Sequence, residues 1–87
     1  MITVLKFLSK TCVPCILLSQ ILEGQETTDV DIRNDPKKAA EFGVRRVPTL
    51  IFLKDNKEVH RHSGILSLST YESILTEIND SKELDEK

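Results

Sequence analysis

Residues 2–8 (ITVLKFL) are apolar almost without a break, and Lys6 is the one charge among them. A strand with one wet face alternates apolar and polar side chains. A strand that does not alternate is expected to be covered on both faces, as in a parallel sheet layered with helices. A chain opening this way needs further strands beside the first and helices above and below it.

The rest of the sequence supplies them. Residues 13–23 place Ile16, Leu17, Ile21 and Leu22 in a broad helical stripe, with Gly24 as the stop. Residues 28–32 (TDVDI) alternate and read as a second strand. Asn34-Asp35-Pro36 offers a cap and a proline at the first helical position, opening a short helix that Gly43 closes. Residues 49–54 (TLIFLK) and 57–62 (KEVHRH) form a hairpin through Asp55-Asn56. Beyond Gly64 comes a last helix with Tyr71, Ile74, Leu75 and Ile78 as its buried stripe. Ser69 with Glu72 makes a capping box there, and Ser67 is the alternative cap. The charged tail from Asp80 onward is expected to fray.

The order βαβαββα implies a helical crossover between parallel strands, then an antiparallel hairpin. The expected fold is a four-stranded mixed sheet with helices on both faces, an α/β sandwich forming one domain over residues 1–87.

Composition narrows the functions. Twelve Lys and Arg stand against fourteen Asp and Glu, a net charge of −2 that argues against nucleic-acid binding. No apolar run approaches the ~20 residues of a membrane span. Met1 leads straight into the first strand, so no signal peptide is expected. The expectation is a monomer in the cytoplasm, where thiols are kept reduced. In that setting a close cysteine pair does redox or metal chemistry more often than cross-linking.

The only two cysteines are Cys12 and Cys15, in Cys12-Val13-Pro14-Cys15, where the first strand gives way to the first helix. Thiol–disulfide exchange needs a thiolate, and a free cysteine with pKa ~8.5 is mostly protonated at neutral pH. A helix N-terminus offers unpaired N–H groups and the positive end of the macrodipole, which favour the anion. Cys12, at or before the first turn, gains this; Cys15, one turn in, is more shielded. Lys10 adds positive charge nearby, and Pro14 suits a turn where its missing N–H costs little. Cys12 is therefore expected to attack and Cys15 to resolve.

Two other readings compete. The pair could be two small buried hydrophobes. It could also be half of a zinc site completed by His60 and His62, in a noncatalytic binding or interaction module. His-x-His is not the usual zinc spacing, and that strand need not approach the first helix. An exposed polar face of an edge strand is the simpler reading of both histidines.

Pro48 precedes a strand expected inside the sheet. On its own it reads as an ordinary trans strand-starter, since cis is only about 5–6% of X–Pro bonds.

Together, Cys12-Val13-Pro14-Cys15, Val44-Arg45-Arg46-Val47-Pro48-Thr49-Leu50-Ile51-Phe52, the Asp55-Asn56 hairpin and Gly64-Ile65-Leu66-Ser67 resemble the thioredoxin family over nearly the whole chain. The resemblance implies a cis Pro48 packed against an active-site disulfide, with Val47 main-chain groups pairing to substrate. It also implies that Val13, Pro14, Val47 and Gly64 border the docking surface. Glutaredoxins differ in placing the proline after the first cysteine and in a Gly-Gly pair, where this chain has Ser63-Gly64.

The chain also departs from the family it resembles. Thr11 replaces the usual tryptophan and Val13 the usual glycine, and an initial strand and helix are absent. Lys6 stands where thioredoxins usually keep a buried aspartate that takes a proton from the resolving thiol, and Asp29 stands where they keep its lysine partner. Either Lys6 snorkels and Asp29 is solvated, or the two form a charge-swapped pair beneath the disulfide that transfers a proton or tunes charge.

The implied activity is dithiol–disulfide exchange on protein disulfides, in electron transport and redox homeostasis. No metal or organic cofactor is implied. Electrons would come from a thioredoxin reductase or an equivalent donor. Glutathione-dependent glutaredoxin activity is the near alternative.

Overall fold

The apolar run Ile2–Leu8 forms strand β1, with another strand hydrogen-bonded along each side. The computed structural model describes residues 1–85, with side chains described as far as Asp80. β1 pairs in parallel with β2 (Thr28–Asp31), bringing Lys6 opposite Asp29. On its other side it runs antiparallel to β3 (Thr49–Lys54), with Val4 opposite Phe52 and Leu5 opposite Ile51. β3 turns back into the edge strand β4 (Lys57–Ser63), giving the order β2-β1-β3-β4. Asp55 and Asn56 both take positive φ, 52° and 71°, as the two central residues of a type I′ hairpin turn require.

Because side chains alternate along a strand, the two apolar strands divide their residues between two cores. Val4, Leu50 and Phe52 pack with Leu18 of α1 (Val13–Ile21), with Leu22 at its C-cap, and with Tyr71, Ile74 and Ile78 of α3 (Leu68–Asp85). Leu5, Phe7, Ile51 and Leu53 pack on the opposite face with Val30 and Ala39. Ala39 belongs to α2 (Pro36–Glu41), so this second core lies under that helix. The expected α/β sandwich is therefore present, with two helices on one face and one on the other. Among the described residues, no helix is long and apolar enough to cross a membrane.

Element ends follow local chemistry. Asp35 caps α2 by accepting the Lys38 N–H at 3.1 Å, and Pro36 holds the first helical position. Gly43 closes that helix with φ 65°, which lets Val44 N–H reach back to the Ala39 carbonyl at 2.8 Å. β2 ends at Asp31, one residue short of expectation, although Ile32 N–H still bonds the Leu8 carbonyl. The α3 backbone continues to Asp85, past the point where fraying was expected to begin. The last two residues of that tail lie outside the described residues.

Two expectations are corrected. In α1 and its C-cap the buried positions are Cys15, Leu18 and the capping Leu22, spaced i, i+3 and i+7, while Ile16 and Leu17 are 51% and 45% exposed. A helix that is apolar nearly all round can turn only one face to the sheet. In α3 the cap is Ser67, whose Oγ accepts the Thr70 N–H at 3.1 Å, and Ser69 lies inside the first turn. The Tyr71 N–H already bonds the Ser67 carbonyl at 3.0 Å, which closes the first helical turn from Leu68 and leaves Ser67 as the cap. Ser67→Ala should therefore cost about 1 kcal/mol in a urea melt. Ser69→Ala should cost clearly less, and the reverse order would restore the capping box.

Candidate active site

β1 runs from the core to the sheet's end and delivers the chain, through Ser9-Lys10-Thr11, to the start of α1. Cys12 is the N-cap of α1, in extended conformation, and its Sγ accepts the Cys15 N–H at 3.1 Å. That amide is the third of the helix, the one a serine or aspartate cap usually satisfies. Here sulfur does so. Pro14 leaves no N–H to satisfy, and the first turn carries no acidic residue to oppose a thiolate.

Cys12 and Cys15 are joined as a disulfide, with Cα atoms 5.2 Å apart. The two sulfurs differ in access. Cys15 is 3% exposed and faces inward, while Cys12 is only half-buried. Cys12 Sγ also lies 3.7 Å from the Val47 carbonyl oxygen, across the groove from the helix. The Val47–Pro48 bond is cis, as the resemblance implied and Pro48 alone did not. Flanking bonds fix this loop: Thr49 Oγ1 donates to the Arg46 carbonyl at 2.7 Å, and Gly64 N–H donates to the Pro48 carbonyl at 2.8 Å. Gly64 itself sits at φ 93°, a conformation that a side chain would strain.

Residues 1–78 match the sequence model of the family described as Thioredoxin. The chain belongs to the thioredoxin family. It is 33% identical over 85 residues to the thioredoxin of Chlamydia caviae, a match covering 90% of this chain and 80% of that protein. It is 38% identical over 66 residues to the thioredoxin of Chlamydia muridarum, covering 68% of this chain and 65% of that protein. Against the latter, then, the chain spans just under two thirds of its relative's length. Among solved structures, Fasciola hepatica thioredoxin superposes with a TM-score of 0.68 at 30% identity, over 86% of this chain and 79% of that one. With this family, a Cys-x-x-Cys pair at disulfide distance is that of a thiol–disulfide oxidoreductase.

The other thioredoxin-like positions gather as follows. Val13 (64% exposed) and Pro14 crown the helix start, Val47 and Pro48 form the facing wall, and Gly64 adjoins Pro48 through its amide. Lys6, 5% exposed, points to the α1 side of the sheet. Its Nζ donates to Ser19 Oγ at 2.9 Å and lies 3.3 Å from Asp29 Oδ1. The charge-swapped pair thus forms, but only Lys6 is buried: the Asp29 side chain is 60% exposed. Ser19 falls four residues after Cys15, just over one helical turn along the same face, about 6 Å. His60 and His62 do not join the cysteines. His60 stacks edge-on against Phe52 at 5.6 Å, and His62 Nε2 lies 3.3 Å from the Ile65 carbonyl. Among the described residues, no three His, Cys, Asp or Glu side chains are grouped to hold a metal.

Sequence reasoning missed Ile16 and Leu17 as surface residues beside the disulfide, Ile65 (44% exposed) next to Gly64, and Ser19 as the second partner of Lys6. The sequence held no local signal for the first two, since α1 is apolar on almost every side.

Proposed function

We propose that this protein exchanges dithiols with protein disulfides as a single-domain, cytoplasmic thioredoxin, with Cys12 attacking and Cys15 resolving. The observation that carries the reading is the unequal placement of the sulfurs: Cys12 caps the helix at the mouth of the groove, and Cys15 is buried behind it. In the first step the Cys12 thiolate attacks one substrate sulfur. The substrate S–S bond breaks, and its second sulfur leaves as a thiolate with the bonding pair. In the second step the Cys15 thiolate attacks Cys12 Sγ, closing the Cys12–Cys15 disulfide and releasing the first substrate sulfur. Two electrons pass from chain to substrate. A thioredoxin reductase or equivalent dithiol donor returns them, with no metal or organic cofactor held by this chain. Val47 main-chain groups, flanked by Val13, Pro14, Pro48 and Gly64, hold the substrate backbone.

The test mixes the reduced protein with a disulfide-bonded protein in the absence of glutathione, then counts alkylated thiols by mass. One substrate disulfide opened per Cys12–Cys15 pair oxidised supports the reading. Exchange that starts only when glutathione is added would favour the glutaredoxin alternative instead.

Lys6 tunes the second step. Its ammonium, held by Ser19 and Asp29 about one turn below Cys15, favours negative charge on the emerging Cys15 thiolate. Lys6→Met should slow resolution about tenfold, equivalent to about 1.4 kcal/mol, while first attack by Cys12 changes little. The fold should survive, because an apolar isostere often replaces a buried charge without loss. Asp29→Asn should cost less than about 1 kcal/mol, since the carboxylate is mostly solvated and Ser19 remains. Stopped-flow exchange separates the two steps. Equal slowing of both, or of neither, would return Lys6 to a purely structural role.

A further inference from the structure

We propose that the exchange site selects polypeptides whose reacting cysteine is flanked by acidic residues. This inference rests on the exchange reading above and names its substrate class.

The chain as a whole is acidic, with a net charge of −2, yet the segments around the disulfide are basic. Lys10 precedes Cys12 by two residues. Arg46 and Arg45 precede Val47, whose carbonyl oxygen lies 3.7 Å from Cys12 Sγ. All three side chains are exposed. The remaining walls offer no counter-charge: α1 is uncharged from Val13 to Ile21, and so are residues 63–67. At the same end of the sheet, the loop after β2 carries Arg33 between Asp31 and Asp35. Both carboxylates there keep their charge but are turned to their own loop, Asp31 accepting the Arg33 N–H at 2.9 Å and Asp35 the Lys38 N–H at 3.1 Å.

The basic loop is also held in place. Its Arg46 carbonyl is bound by Thr49 and its Pro48 carbonyl by Gly64, so the backbone that follows the two exposed arginines is fixed beside Cys12. An extended peptide advances about 3.3 Å per residue. Side chains two or three residues from the reacting cysteine therefore pass within reach of an arginine. Charge interactions over that range act across the ~8 Å screening length of physiological salt and are suppressed at 1 M, where it is ~3 Å. The uncharged residues Val13, Ile16, Leu17 and Ile65 add apolar contact without selecting charge.

The experiment uses the reduced full chain and three peptide disulfides of one sequence. The flanks of the reacting cysteine are Asp and Glu, their amides Asn and Gln, or Lys. Each second-order rate constant is divided by that of dithiothreitol with the same peptide, which removes the peptide's own reactivity. Uncharged hydroxyethyl disulfide serves as the reference substrate. At low salt the acidic peptide should react about tenfold faster than its amide counterpart, and the lysine peptide slowest. At 1 M salt the three should converge. Arg45→Gln with Arg46→Gln should remove most of the preference at low salt. Equal rates for all three peptides at low salt would overturn the inference, and so would a preference that the arginine variant retains. In both of those cases hydroxyethyl disulfide still reacts and the exchange reading stands. No reaction with any disulfide would overturn the exchange reading and this inference with it.

Discussion

Cys12→Ser should lower exchange by at least about a thousandfold, whereas Cys15→Ser should accumulate a covalent complex with the substrate. The asymmetry follows from position. Cys12 Sγ stands at the groove mouth against the Val47 carbonyl and can be reached by a second polypeptide. Cys15, 3% exposed, can reach only the sulfur already attached to its own helix. With Cys15 gone the first step proceeds and the second has no nucleophile, so the mixed disulfide persists. Non-reducing mass measurement should show the chain carrying one substrate through Cys12. In the reduced wild type, alkylation at pH 7 should label Cys12 before Cys15. Trapping by the Cys12→Ser variant, or equal labelling of both thiols, would reverse the assignment.

The second large effect belongs to the scaffold. Phe52 is fully buried at the centre of the core beneath α1 and α3, with its ring centroid 5.9 Å from that of Tyr71. It sits opposite Val4 on β1, so it ties the hairpin to the strand that delivers Cys12. Phe52→Ala should cost about 3–5 kcal/mol, through lost transfer energy and the cavity left between sheet and helix. Domains of this size have only about 5–15 kcal/mol in total, so the urea midpoint should fall sharply. Leu17→Ala, at a position 45% exposed, should change the midpoint little. Comparable losses for the two would mean that the core is centred elsewhere.

How far each feature could be read from residues depended on whether its cause was local. β1 and β3 were legible because a strand covered on both faces leaves an unbroken apolar run. β3 is further bracketed by Pro48 and by the Asp55-Asn56 turn. The cysteine pair was legible because a helix start and a two-residue spacing are both local. The exposed side of α1 was not: Val13, Cys15, Ile16, Leu17, Leu18, Ile21 and Leu22 are apolar on almost every side. Only the position of the sheet chooses which of them are covered. Ser67 and Ser69 are both credible caps by composition, and only the observed bonds of the Thr70 and Tyr71 amides to Ser67 choose between them. The cis bond before Pro48 followed from family resemblance, since local preference favours trans. The ion pair of Lys6 with Asp29 depends on the register of two parallel strands joined through a helix, which neither strand encodes alone. Its third member, Ser19, was hidden for the same reason.

The two cores on opposite faces of the sheet have one more consequence for the groove. One jaw, the Cys12–Cys15 turn, is anchored by Leu18 and Leu22 in the core beneath α1 and α3. The other jaw, Val47, packs into the core beneath α2 with Phe42 and Val44. The disulfide therefore lies along a seam, where two separately packed blocks meet and are joined by the backbone ladder between β1 and β3. Grip and reactivity are mounted on different foundations. On the exchange reading proposed above, repacking around Ala39 and Phe42 would shift how a substrate backbone is clamped while the sulfur keeps its place on the helix. Changes around Leu18 can retune the sulfur while leaving the clamp where it was. A lineage built on this plan can acquire new clients on one side of the sheet and a new redox temperament on the other.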